Sequence, residues 1–272
     1  MGKIERFKDA DGNEVIECVD RNITSIFELQ VDFSADHVTR LTLSHNKITM
    51  IPAEIAQLTS LVDLNLWNNQ ITEIPPQLST LPNLKILNVG MNKLDKLPKG
   101  FGNFPSLEIL DLTYNNLSGT SLPGNFFFIK TLRALYLGDN DFETFPADIC
   151  ELTNLQILVL RENDLVELPP QIAQLRKLKE LHVQGNRLQV IPPEIGGLDL
   201  LGEKRVLRVE SNPWIDTIRN ALMQAGNKGF MNYINSENYR NFYQTQLSTI
   251  GNLPPKVNKD KKISRAGVVK AC

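Results

Sequence analysis

The sequence has little of what enzymes use for chemistry. Its 272 residues include three cysteines, three histidines and two tryptophans. Cys18, Cys150 and Cys272 lie far apart and match no metal-ligand spacing, and their odd number argues against a disulfide framework. His37, His45 and His182 have no cysteine, serine or carboxylate at a spacing typical of a catalytic motif. Gly100-Phe101-Gly102 lacks the third glycine of a dinucleotide loop. No stretch approaches the roughly 18 consecutive apolar residues of a membrane span, and MGKIERFKDADG has no apolar run of the signal-peptide kind. Arg6 breaks the myristoylation pattern after Gly2, and Cys272 is the last residue rather than the fourth from the end that prenylation needs. A net charge of −2 and a pI of about 6.0 give no electrostatic case for nucleic acid. These absences predict an intracellular, soluble, non-enzymatic chain with no cofactor, no metal and no catalytic residue. The glycosylation sequons at Asn22 and Asn116 would then go unused.

What is present is a repeat. One unit reads L-x-x-L-x-L-x-x-N-x-L-x-x-L-P, with Val, Ile or Phe allowed at the leucine positions. Its asparagines are Asn46, Asn69, Asn92, Asn115, Asn140, Asn163 and Asn186, a step of 23 residues throughout except for 25 after Asn115. Stacked turns demand such regularity, because equivalent residues must recur in register. The L-x-L alternation has period two, so it predicts a short strand with one buried face. The Asn amide can satisfy backbone groups that a tight buried turn leaves unpaired. Between strands, rows such as Pro52, Ile55, Leu58 and Leu61 recur at a spacing of three, as a 3-10 or short helical turn buries them. The fold class is therefore an α/β leucine-rich-repeat solenoid, with a concave parallel sheet and a convex side of short helical turns.

Such a fold needs covered ends. Ile16, Cys18, Ile23 and Ile26 follow the spacing with Arg21 in place of Asn, so residues 1–37 read as an N-terminal cap with a degenerate first repeat. Cys18 then fills a core position as a small hydrophobe. Residues 38–214 hold the repeats and a last imperfect turn, with Leu207, Val209 and Asn212 in place but Lys204 at the first leucine position. Residues 215–250 predict a helical cap, two short helices broken near Gly226 to Gly229, with Trp214 sealing the core. Residues 251–272 carry Pro254-Pro255 and a net charge of +5, which leaves −7 on residues 1–250. They read as a disordered basic tail.

The residues alternating with the buried leucines face the concave surface. In the middle repeats Trp67, Ile86, Met91, Ile109, Tyr114 and Tyr136 are apolar or aromatic where water is expected, with Asp111, Asp139, Arg161 and Glu162 beside them. They fall on adjacent strands. Clustered aromatic and Arg anchors with a charged rim describe a protein interface. His45 and His182 belong to the first and seventh repeats, so they cannot share a metal.

Several stretches resemble the Ras suppressor family of intracellular leucine-rich-repeat adaptors. They are Leu43 to Ile48, DLTYNNLS from Asp111, SLPGNFF around Pro123, TLRALYLGDNDFE from Thr131, and the SNPW cap, together with the insertion in the fourth repeat and the KKISR tail. The N-terminal segment and the end of the tail depart from the family pattern. The resemblance implies a cytoplasmic adaptor at integrin adhesions. Its partner would be the last LIM domain of the PINCH adaptor, in the complex with integrin-linked kinase and parvin, with damping of Ras-dependent signalling. It also implies an interface on Asn88, Asp111, Tyr136 and Arg161, with Trp67, Met91, Tyr114 and Asp139 around them. The chain would be a monomer within that hetero-complex. The alternative is a scaffold for a small GTPase or phosphatase. A third class, attachment of the basic tail to anionic lipid, has no lipid anchor to support it.

Overall fold

The computed structural model describes residues 5–34 and 37–246, and the chain divides into two compact units, residues 1–136 and 137–272. The predicted tail, residues 251–272, lies outside the described residues.

The first unit opens on an antiparallel hairpin of β1 (Glu5–Lys8) and β2 (Glu14–Glu17). The periodicity did not foresee it, because it had implied only parallel pairing. Its turn is local chemistry: the Asp9 carboxylate accepts from the backbone N–H groups of Asp11 and Asn13, and Gly12 takes φ +81°. From β2 onward every pairing in this unit is parallel. β3 (Val38–Thr42), β4 (Asp63–Asn65), β5 (Ile86–Asn88), β6 (Ile109–Asp111) and β7 (Ala134–Tyr136) follow in chain order. Leu41, Leu64, Leu87, Leu110 and Leu135 stand opposite one another in that register, all fully buried.

In the second unit β8 (Ile157–Val159), β9 (Glu180–His182) and β10 (Val206–Arg208) are parallel, with Leu158, Leu181 and Leu207 aligned. The return segments of both units are 3-10 turns, among them Ala53–Gln57, Pro76–Thr80, Ala147–Glu151 and Pro170–Gln174. Proline opens each of these four, where its fixed φ is right and its missing N–H costs nothing.

The asparagines hold successive turns together. Asn69 Oδ1 accepts from Ile48 N–H at 3.0 Å, while its Nδ2 donates to Leu43 O at 2.9 Å and Leu66 O at 3.0 Å. Asn92 and Asn115 repeat this in the first unit, and Asn163, Asn186 and Asn212 in the second. Asn46 explains how the first turn survives with Arg21 in place of its own Asn. Its Oδ1 accepts from both Arg21 N–H and Ile23 N–H, and its Nδ2 donates to Cys18 O. Cys18 is buried, and burial pushes its thiol pKa up.

After Asn212, Trp214 is buried; its indole N–H donates to Val209 O at 2.9 Å and its ring packs on Phe230. Helices α1 (Asp216–Ile234) and α2 (Glu237–Gln246) follow. The expected break near Gly226 is present, at Ala225 and Gly226, where Gly226 has φ +56° and ψ −148°. A second interruption at 235–236 parts α1 from α2, so three helical segments result rather than the two expected. Tyr239 of α2 reaches back onto the repeats. Its hydroxyl donates to Ile191 O at 2.7 Å and accepts from Ile191 N–H at 3.0 Å.

Candidate protein-binding face

The face of the sheet opposite the leucine core is the candidate site, and each unit presents its own. In the first unit the mid-strand row is Thr42, Asn65, Asn88, Asp111 and Tyr136, all half-buried and paired in register. Three of these side chains also serve the backbone. Asn65, Asn88 and Asp111 each accept, through Oδ1, the N–H of the residue two positions on, at 2.9–3.0 Å. Asn88 and Asp111 therefore help shape the strand exit as well as facing outward, a role that strand alternation does not reveal.

The next row holds Ser44, Trp67, Gly90 and Thr113. Trp67 is half-buried because its ring lies over Gly90, and a Cβ at Gly90 would collide with it. The glycine sits one repeat on from the tryptophan, a signal present in the sequence that alternation within one strand does not pick out. Trp67 reaches across to Tyr114, with ring centroids 6.0 Å apart and planes at 79°. An edge-to-face pair of this kind adds about 0.5–1.5 kcal/mol beyond burial.

The third row is conformationally unusual. His45, Asn68, Met91 and Tyr114 all have left-handed backbone, at φ 59°, 55°, 52° and 56°. Asn and His tolerate this region, whereas Met and Tyr enter it at a cost of roughly 1–2 kcal/mol. The parallel ladder enforces it: Met91 N–H donates to Thr113 O at 2.7 Å and Asn92 N–H to Tyr114 O at 3.2 Å. Backbone strain thus fixes the directions of Met91 and Tyr114. Ile86 and Ile109 are half-buried on the same side as Asn88 and Asp111. Charges border the face at the strand entries, where Glu108 meets Arg133 at 3.3 Å and Arg40 meets Asp63 at 3.5 Å. Burial raises the Asp63 carboxyl pKa, and Arg40 only partly opposes it.

Six expected residues, Trp67, Asn88, Met91, Asp111, Tyr114 and Tyr136, therefore share one face of the first unit. The other two, Asp139 and Arg161, belong to the second. There they form an ion pair at 2.7 Å. Asp139 does not face solvent as expected: its side chain is 8% exposed, against 31% for Arg161. Val159 is buried too. Arg161 leans over Gly138, whose absent side chain leaves room for the Arg161 Cγ, and the Glu162 carboxylate occupies the space beside Gly185. His182 is half-buried, 3.5 Å from Glu180. Burial lowers its pKa, Glu180 works against that, and Arg208 and Arg161 reinforce it.

Among the described residues no group of three or more His, Cys, Asp or Glu is placed to hold a metal, and no helix is long and apolar enough to cross a membrane. The family model for a leucine-rich repeat region matches residues 109–224, and that for a leucine rich repeat matches residues 36–94 and 59–117. Ras suppressor protein 1 from Homo sapiens is 64% identical over 264 residues, covering 96% of this chain and 94% of that protein. The chain belongs to the Ras suppressor family. Its Bos taurus and Mus musculus members are 63% and 61% identical over the same share of each chain. Among solved structures, the leucine-rich-repeat ectodomain of the Arabidopsis receptor kinase HAESA, in complex with an IDA peptide hormone, is 29% identical with a TM-score of 0.62. That match covers 76% of this chain and 36% of the ectodomain. The PEPR1–AtPEP1 structure is 28% identical with a TM-score of 0.58, over 77% of this chain and 30% of that one.

Proposed function

We propose that this Ras suppressor family member is a non-enzymatic adaptor whose exposed sheet face binds another protein. Its partner is the last LIM domain of PINCH, within the assembly of integrin-linked kinase, PINCH and parvin at cytoplasmic adhesions. Its output is damping of Ras-dependent signalling, the activity carried in the name of its mammalian relatives. The observation that supports this reading most is the aromatic group on the first unit. Trp67 and Tyr114 pair edge to face, Met91 is held in strained backbone beside them, and Tyr136 ends the mid-strand row. Aromatic anchors supply large contact area for little lost rotamer freedom.

The test is capture of the isolated last LIM domain of PINCH by the full chain. Tyr136→Ala combined with Asp111→Asn removes the ring and the charge, while the amide oxygen of the second substitution still accepts from Thr113 N–H. The fold should persist by circular dichroism and capture should fall at least tenfold. Undiminished capture would remove the LIM-domain interface from this face. A Ras-family GTPase that co-purifies in a nucleotide-dependent way without any LIM protein would instead support the scaffold reading, which the relatives' name also favours.

A further inference from the structure

A second surface lies away from the sheet face. In the second unit a groove of about 720 Å³ runs between the proline-bearing edges of the 3-10 turns and helix α2. Its base is Phe145 and Leu168, its sides are Pro169 and Tyr243, and Glu167 and Glu194 border it. Phe145 and Leu168 are buried, Tyr243 is half-buried and both glutamates are exposed. The groove thus joins an apolar base to two carboxylates in water. The cation on its lining, Arg240, donates to Asn235 Oδ1 at 3.0 Å. Both glutamates act on the Tyr243 phenol, which burial first and then Glu194 and Glu167 push up to about 12.

The chain holds a segment of matching chemistry close at hand. Tyr243 and Gln244 line the groove, and α2 ends at Gln246, so the chain leaves the helix at the groove's edge. Residues 253–262 read LPPKVNKDKK, a proline pair followed by Lys256, Lys259, Lys261 and Lys262 against Asp260 alone. Residues 137–250 have 15 acidic and 11 basic side chains, a net charge of −4, whereas residues 251–272 carry +5. Two adjacent prolines favour the extended polyproline conformation, which docks against aromatic and proline-lined grooves at low entropic cost. Six residues separate Gln246 from Leu253. Extended, they span up to about 20 Å, enough to reverse direction onto the groove. Tethering gives the segment an effective concentration in the millimolar range, so weak contacts suffice to hold it.

We propose that this groove receives the chain's own basic segment, Leu253 to Lys262, with Pro254-Pro255 against Tyr243 and Pro169 and the lysines beside Glu167 and Glu194. The docked segment covers the contact between α2 and the repeats. It also keeps the lysines from other acidic surfaces until it is displaced.

Zero-length carbodiimide cross-linking of the full chain tests this. An equimolar mixture of 14N- and 15N-labelled protein separates contacts within one chain from contacts between copies. The expected result is amide links from Lys256, Lys259, Lys261 or Lys262 to Glu167 or Glu194, without mixed-isotope pairs. The same links should fall at least fivefold in 0.5 M NaCl and in Tyr243→Ala. They should vanish in the Glu167→Lys, Glu194→Lys double variant, whose two sites are exposed and tolerate the change. Links to other carboxylates, no links from these lysines, or links only between differently labelled copies would each overturn the proposal, the last in favour of a second copy as the occupant.

Discussion

Replacing Asn69 with Ala tests the physical account of the repeat most directly. The amide of Asn69 serves three backbone groups at 2.9–3.0 Å, and more distantly Trp67 O at 3.4 Å, which also accepts from His45 N–H; their losses are unequal. Leu43 O also accepts from Asn46 Nδ2 at 3.0 Å, and Leu66 O also accepts from Asn92 Nδ2 at 3.0 Å. Each of these carbonyls keeps one bond. Ile48 N–H relies on Asn69 Oδ1 and sits on a fully buried residue. An orphaned buried donor costs about 1–3 kcal/mol, and each weakened carbonyl adds roughly 0.5 kcal/mol. The expected loss is therefore about 2–4 kcal/mol, with the lost stem packing included at the upper end. Asn69→Asp should be no milder, since it keeps an acceptor for Ile48 but sets a second oxygen against the carbonyls of Leu43, Leu66 and Trp67. The control is Asn83→Ala, an exposed asparagine with one bond, Nδ2 to Thr59 O at 2.9 Å, which should cost under about 0.5 kcal/mol. Urea unfolding followed by far-ultraviolet circular dichroism measures both. If Asn69→Ala lies within about 0.5 kcal/mol of Asn83→Ala, the inter-turn amide bonds do not stabilise the stack.

Gly90→Ala places a methyl group against the Trp67 ring, so the indole should swing outward, with red-shifted emission, and LIM-domain capture should weaken several-fold. Unchanged emission and capture would show that the Trp67–Gly90 contact does not set the face. His182 gives a pH dependence. Its folded pKa lies below the ordinary 6.5, so the unfolded chain takes up the proton first as pH falls. Its contribution to stability is full above that value and is lost progressively below it, down to the folded pKa. His182→Gln should flatten the decline in melting temperature between about pH 6.5 and 5; an identical slope in both proteins would show that His182 does not titrate this way.

Much of the fold was legible because a stacked-repeat fold repeats its reasons. The buried leucines, the Asn amides and the proline-led turns each recur where the spacing places them, since every turn solves the same packing problem. The open-face residues were legible for a related reason: period-two alternation assigns a side to each strand residue whatever lies beyond the strand. The alternation carried less information beyond the strand ends. Asp139 lies past its strand, and its burial depends on Arg161, one repeat away. The glycine beneath Trp67 is also one repeat away, so neither contact shows in a local window.

By itself, the sequence determined the repeat length, the leucine core, the asparagine ladder and the family, because each is written in local pattern repeated along the chain. Tertiary structure alone decided four other things: the antiparallel hairpin at β1 and β2, the edge-to-face meeting of Trp67 and Tyr114, the burial of Asp139, and the groove at Tyr243. The last three depend on which side chains the stacking brings together across one or more repeats. The hairpin depends on a five-residue turn with no counterpart elsewhere among the described residues. Residues brought together across turns leave no periodic trace, and only the packed structure shows them.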